Sequence, residues 1–261
     1  MLLQDKVAIV YGAAGPVGGA VARAFAREGA QVVLTGRRLD RLQAVADDIA
    51  VDGGHASAAQ VDALDAAAVR DHAGRVVEEA GRIDISFNAI GLGEAQGANL
   101  VDITPEHFLR PVETALRTHF ITMTTAVEHM SAAGSGAILA LTAQAARVPY
   151  PSVGGFGVAG AALEALCRQV AIEAGPRGVR VVCLRSAGSP DTPGVAEVWR
   201  RHAEAAGASM DEWTERMAAK TLLKRLPSLA EIGNTAVLMA SDYASPVTGA
   251  VLNVTCGELV D

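Results

Sequence analysis

The stretch Val7 to Gly19, VAIVYGAAGPVGG, decides how the rest of the chain is read. Four aliphatic residues followed by Tyr11 predict a strand buried on both faces. The glycines that follow allow a tight turn into the alanine-rich segment Ala20 to Ala30, a predicted helix. At a strand–turn–helix junction the backbone N–H groups and the positive end of the helix dipole converge on one point, which suits a phosphate group. Such a turn also serves simply to join two elements. Its place at the head of an alternating strand and helix pattern gives it weight.

Outward from that junction the alternation continues. Gln31 to Thr35 reads as a second buried strand, closed by Gly36 and followed by Arg37 and Arg38. Leu39 to Ala50 carries apolar residues at Leu39, Leu42, Val45, Ala46 and Ile49, the spacing of a one-faced helix. Ala56 to Val61, Ile83 to Asn88, Gly136 to Thr142, Val179 to Leu184 and Ala250 to Val254 read as further strands. Helices are predicted over Asp65 to Ala80, from Thr104 and Pro105 to Ala133 with an interruption near Pro111, over most of Ser152 to Ala174, and over Ala230 to Ala240. Residues 185–224 form an excursion with amphipathic pieces around Trp199 and Trp213, the usual place for a substrate lid. Strands alternating with helices imply right-handed crossovers: an α/β, Rossmann-type doubly wound parallel sheet of about seven strands, helices on both faces, in one domain over residues 1–261. In such a sheet a ligand lies at the carboxyl ends of the strands, where the strand order reverses.

Composition narrows the partners. The 261 residues are 50% hydrophobic and carry a net charge of −7, which disfavours nucleic acid and anionic membrane surfaces, since both need a basic face. A small-molecule substrate and other copies of the chain are the expected partners. Cys167, Cys183 and Cys256 have neither paired nor metal-like spacing and read as core residues of a cytoplasmic protein, and no metal set is expected. No apolar run approaches the roughly 20 residues of a membrane span.

With these pieces placed, the chain resembles the short-chain dehydrogenase/reductase family over nearly its whole length. The resemblance rests on the Gly12 to Gly18 turn, Asp62, DISFNAIG at Asp84 to Gly91, EHM at Glu128 to Met130, GVRVVCL at Gly178 to Leu184, and LMASDYASPVTGAVLNVTCG at Leu238 to Gly257. It implies a nicotinamide-dependent oxidoreductase, built as a homotetramer or homodimer on its two long central helices. Small residues at Gly154, Gly155, Gly157, Ala159, Gly160, Ala161 and Ala162 suit that close packing.

The resemblance keeps part of the cofactor side. Gly12 and Gly18 stand in register with the family's glycine turn, but its middle glycine falls on Pro16, with Gly15 one place early. Proline suits the first helical position, so the N–H groups of Val17 and Gly18 still face a phosphate. Gly36 stands where NAD-preferring members carry an acid, and Arg37 and Arg38 beside it suit a 2′-phosphate or else form a solvated helix start. NADP is therefore the expected cofactor, with NAD or none as alternatives. By the same analogy Asp62 accepts from the adenine amino group or caps the following helix, Asn88 and Gly91 keep two places of an Asn-Asn-Ala-Gly motif, and Thr192 approximates a carboxamide-binding threonine.

The catalytic side is not kept. The family's asparagine, serine, tyrosine and lysine positions fall on Ala115, Ala143, Phe156 and Gly160. The chain's lysines are Lys6, Lys220 and Lys224, so no shift of register supplies one to the central helix. A tyrosine with a pKa near 10 needs an adjacent ammonium to exchange a proton near neutrality, and general acid catalysis of this kind is worth roughly 100-fold to 10,000-fold. Replacement candidates are Tyr150 and Gln144, with Arg147 and Arg185 as receivers of an anionic ligand. His119 is expected to serve helix packing. An oxidoreductase with an atypical site is favoured over a non-redox lyase, isomerase or cyclase and over a catalytically inactive partner subunit.

Overall fold

A computed structural model describes residues 1–94 and 96–260. In chain order its elements are β1 (Val7–Tyr11), α1 (Pro16–Arg27), β2 (Gln31–Gly36), α2 (Leu39–Val51), β3 (His55–Gln60), α3 (Ala66–Ala80) and β4 (Ile85–Asn88). There follow α4 (Pro105–Ala133), β5 (Gly136–Ala143), α5 (Phe156–Ala174), β6 (Val179–Ser186), α6 (Pro193–Ala205), α7 (Met210–Lys220), α8 (Leu229–Ala240) and β7 (Ala250–Val254). The strands form one seven-stranded parallel sheet in the order β3-β2-β1-β4-β5-β6-β7. After β3 the chain returns across β1 to begin the other half, so the order reverses between β1 and β4, where Tyr11 pairs with Asn88. A crevice therefore opens at the carboxyl ends of these two strands.

The unbroken apolar run of β1 has a direct cause. Ala8 and Val10 pack into a core with α1, α2 and α8, while Val7, Ile9 and Tyr11 pack into a second core with α3, α4 and α5. A strand covered on both faces has no position left for a polar residue.

Three expectations are corrected. Helix α1 begins at Pro16, with Gly15 as N-cap, and ends at Arg27. Helix α4 runs straight through Pro111: the proline lies early in the helix, so the missing N–H costs one bond, and its buried ring packs toward Gly155. Helix α5 starts at Phe156 because Ser152 (φ 61°) and Gly154 (φ 60°) take left-handed conformations and turn the chain before it. The small residues of α5 also serve packing inside the chain. A Cβ on Gly155 would overlap the Phe108 carbonyl, one on Gly157 would lie 2.7 Å from Ala145 O, and one on Gly160 would lie 2.9 Å from Ala146 Cβ. No helix among the described residues is long and apolar enough to cross a membrane.

Candidate functional site

Two cavities adjoin at the β1/β4 crevice and share Ala89, Ile90, Gly91 and Leu92 as a common wall. The first, about 370 Å³, lies over the glycine turn and is bordered by Gly12, Gly15, Gly36, Arg37, Arg38 and Asp62. Gly12 has φ 74°, and a Cβ there would sit 2.8 Å from Ala89 O, so only glycine lets the β1 and β4 ends approach this closely. Gly18 borders neither cavity: a Cβ on it would come within 2.5 Å of Gly12 O, so it brings α1 down onto the turn. Val17 and Gly18, at the second and third helical positions, have N–H groups without an intrahelical acceptor, and no side chain caps this end.

Arg37 and Arg38 are exposed beside this cavity, and neither has a carboxylate partner among the described residues. Asp62 Oδ1 accepts from Leu64 N at 3.0 Å, while the cap of α3 is Asp65, which accepts from the N–H groups of Ala67 and Ala68. The capping alternative for Asp62 is thereby corrected. Arg110 also borders the cavity, with Thr114 and Thr118 on the same face of α4. Their i, i+4, i+8 spacing was the available signal, and the sequence reading missed it.

The second cavity, about 220 Å³, is lined by Val17, Leu141, Ala143, Phe156, Gly160, Leu163 and Ile232, among others. Three of the four positions to which the resemblance assigns catalytic groups, Ala143, Phe156 and Gly160, thus form apolar wall. The fourth, Ala115, is buried on α4, and its carbonyl lies 2.9 Å from His119 Nδ1. Asn88 borders the cavity, but its side chain is committed: Nδ2 donates to Thr122 Oγ1 at 3.1 Å and Oδ1 accepts from Ile90 N at 3.0 Å. It ties the end of β4 to α4 and shapes the shared wall. Gly91 has open space beside it.

Thr192 Oγ1, buried beside this cavity, has no hydrogen-bond partner among the described residues. Thr192 is the N-cap of α6, yet its hydroxyl makes no capping bond to the helix. His119 is 2% exposed, and burial pushes its pKa down to about 4 against the opposing pull of the Ala115 and Asn88 carbonyls. It is a cavity residue as well as a packing one.

Tyr150 and Gln144 are not among the residues that line this cavity. Tyr150 faces a separate cavity behind Arg147 and Pro149, donates weakly to Gln96 Oε1 at 3.4 Å and packs edge-on against His202. Burial, with Glu94 and Glu258 nearby, pushes its pKa up to about 12, the wrong direction for an acid. Gln144, with its amide turned to satisfy its bonding, donates to Glu258. Arg147 is exposed beside the Tyr150 cavity. Arg185 is buried: its Nε and Nη2 donate to Glu164 at 2.8 and 2.6 Å, and Nη1 donates to Asn253 at 2.8 Å. It supports the floor and does not receive a ligand. Among the described residues no cluster of His, Cys, Asp or Glu could hold a metal ion.

A parallel sheet with this reversal, a glycine turn at β1 and a cleft in two parts define a doubly wound α/β protein of the Rossmann type. The model of the family described as enoyl-(acyl carrier protein) reductase matches residues 12–258, and the chain belongs to the short-chain dehydrogenase/reductase family. The NAD(P)(+)-dependent L-rhamnose 1-dehydrogenase of Azotobacter vinelandii is 32% identical over 266 residues, covering 100% of this chain and 99% of its own. A protein from Beutenbergia cavernae solved with NADP at low occupancy is 28% identical with a TM-score of 0.85, over 99% of this chain and 98% of that one. NAD+-bound xylitol dehydrogenase superposes with a TM-score of 0.91 at 22% identity, covering 98% and 100% of the two chains, a likeness of fold.

Proposed function

We propose that this chain is an NADP(H)-linked oxidoreductase of a small organic substrate that works without the tyrosine and lysine its family uses. The observation that carries this reading is the two-part cleft, charged at the glycine turn and apolar beyond the shared wall. The residues present fit a dinucleotide. The glycine turn at Gly12 and Gly15 and the uncapped helix start at Val17 receive a pyrophosphate, Arg37 and Arg38 pair a 2′-phosphate, the second carboxylate oxygen of Asp62 accepts from an adenine amino group, and Thr192 meets a carboxamide. Bound nicotinamide supplies the hydride donor or acceptor. Phe156, Leu163 and Ile232 exclude water from the space beside it.

With Ala143, Phe156 and Gly160 at the wall, no hydroxyl or ammonium group of the usual kind delivers a proton, so substrates that need little acid catalysis fit best. The same three residues favour a second reading, a non-redox pocket or a partner subunit on the inherited fold. Residues 185–224, with α6 and α7, act as a lid, and Phe120 (57% exposed), Val158 and Ile172 on α4 and α5 offer an apolar face for a second copy. Solution mass tests the last point.

Calorimetric titration with NADPH and NADH tests the main reading. Micromolar binding with NADPH preferred supports it. No binding of either at millimolar concentration rejects dehydrogenase chemistry in favour of the second reading.

A further inference from the structure

Among the described residues that line the apolar cavity, Glu94 carries the only formal charge, and no lysine or arginine borders the space. Its carboxylate accepts no hydrogen bond and joins no ion pair with any described residue. Arg110, whose Cδ would lie 3.6 Å from a Cβ on Gly93, approaches the same loop from the neighbouring cavity and does not pair with Glu94. The charge is felt nearby all the same, where it adds to burial in pushing up the pKa of Tyr150. A carboxylate at the rim of an apolar space, where water screens it less, attracts a cation.

The groups missing from the wall point the same way. A ketone that accepts hydride becomes an alkoxide, an enone becomes an enolate, and each must then take a proton. Ala143, Phe156 and Gly160 have none to give. The Ser186, Ser189 and Thr192 hydroxyls in the same lining form hydrogen bonds but do not release a proton near neutrality. Either anion would also grow beside Glu94 with no cation lining the space to offset it. An iminium ion avoids both difficulties. Its carbon takes the hydride, a C–H bond forms, the π pair of C=N goes to nitrogen, and a neutral amine results with no proton consumed. The positive charge passes to the nicotinamide as that ring is oxidised. The site thus holds one positive charge before and after, and Glu94 keeps a partner throughout.

We propose that the apolar cavity takes an organic cation paired with Glu94, an iminium ion that is reduced to the amine by hydride from the bound nicotinamide. This rests on reading the cavity as the substrate end of a nucleotide cleft, and it names the substrate class of that site. Glu94 supplies the attraction, and Phe156 sets an aromatic ring, a group that draws cations, in the same wall. The substrate itself removes the need for the tyrosine and lysine.

The test compares two bicyclic probes of nearly equal shape, the N-methyldihydroisoquinolinium ion and the uncharged ketone α-tetralone, by ligand-observed NMR titration of the nucleotide-free protein. The iminium ion is expected to bind about tenfold more tightly, with the preference shrinking as salt rises. Glu94→Gln, equal in shape and uncharged, brings the ratio to about one, and Glu94→Asp, which restores the charge on a shorter side chain, keeps part of the preference. With NADPH added, the iminium ion is expected to be reduced about 100-fold faster than the ketone. Equal binding of the two probes by the unaltered protein, a preference that survives Glu94→Gln, no binding of either probe, or equal rates of reduction overturns the proposal. NADPH titration of the same sample separates the two readings. Nucleotide binding without cation preference removes the Glu94 pairing alone. A cation preference that is lost in Glu94→Gln, without nucleotide binding, keeps the cation site and removes the oxidoreductase reading together with the reduction step.

Discussion

The two ends of the cleft handle polarity in opposite ways. At the glycine turn the cavity is bordered by Asp62 and the exposed Arg37, Arg38 and Arg110. Beyond the shared wall Glu94 lies at the rim of a mostly apolar cavity, and Glu164 and Arg185, outside its lining, are paired with each other through two hydrogen bonds, Glu164 taking a third from Thr142. The lesson is that an arginine near a strand end means nothing until its burial and partner are known. Arg37 and Arg185 both follow predicted strands, but one is free for a ligand and the other is consumed by the fold.

The largest effect expected from breaking this contrast is at Glu164. Replacing it by leucine leaves the buried Arg185 guanidinium without its principal partner and is expected to cost about 3–5 kcal/mol, read from urea denaturation. A loss below about 1 kcal/mol would mean the floor tolerates an uncompensated charge and the contrast is overstated.

Acidification comes next. His119 and His72 are both buried with pKa values lowered to about 4, mainly by desolvation, so the unfolded chain, titrating near 6.5, takes up these protons first. Stability is fully present above pH 6.5 and falls as pH drops toward 4, by up to about 3 kcal/mol for His119. Denaturation midpoints between pH 7 and 4.5 check this. His119→Phe should flatten the slope, and an unchanged slope would place the titration elsewhere.

At the charged end, replacing Arg37 and Arg38 together by alanine is expected to weaken NADPH binding about tenfold while leaving NADH within about twofold. Equal loss for both nucleotides would assign the arginines to general electrostatics. The smallest effect is at Tyr150. Because its hydroxyl faces Gln96 in another cavity, Tyr150→Phe should leave any turnover within about twofold, and a loss of a hundredfold or more would restore it as the acid.

The order of elements was legible because periodicity is local. Alternating buried runs and one-faced helices placed every strand of the sheet to within one or two residues. Where the reading went astray, tertiary packing prevailed: Pro111 stays inside α4 because its ring is buried, and Ser152 to Gly155 turn instead of starting α5. Of the candidate site, the residues near the glycine turn were readable because backbone geometry ties them to a strand end. Tyr150 and Gln144 were chosen by proximity in sequence, and their side chains point to Gln96 and Glu258, partners 54 and 114 residues away along the chain.

By itself, the sequence determined the doubly wound α/β order, the glycine turn at its head and the lack of any lysine on the central helix, since each follows from residue identity and short-range spacing. The tertiary structure alone decided that His119 is buried between the Ala115 and Asn88 carbonyls, that Arg110 joins Arg37 and Arg38, that Arg185 belongs to Glu164, and that the Cys167 thiol meets Cys183 across α5 and β6. The physical reason is that burial, tautomer and partner are set by groups brought together across the sheet, and no local pattern in the chain encodes which side of a helix will meet an opening rather than a neighbour.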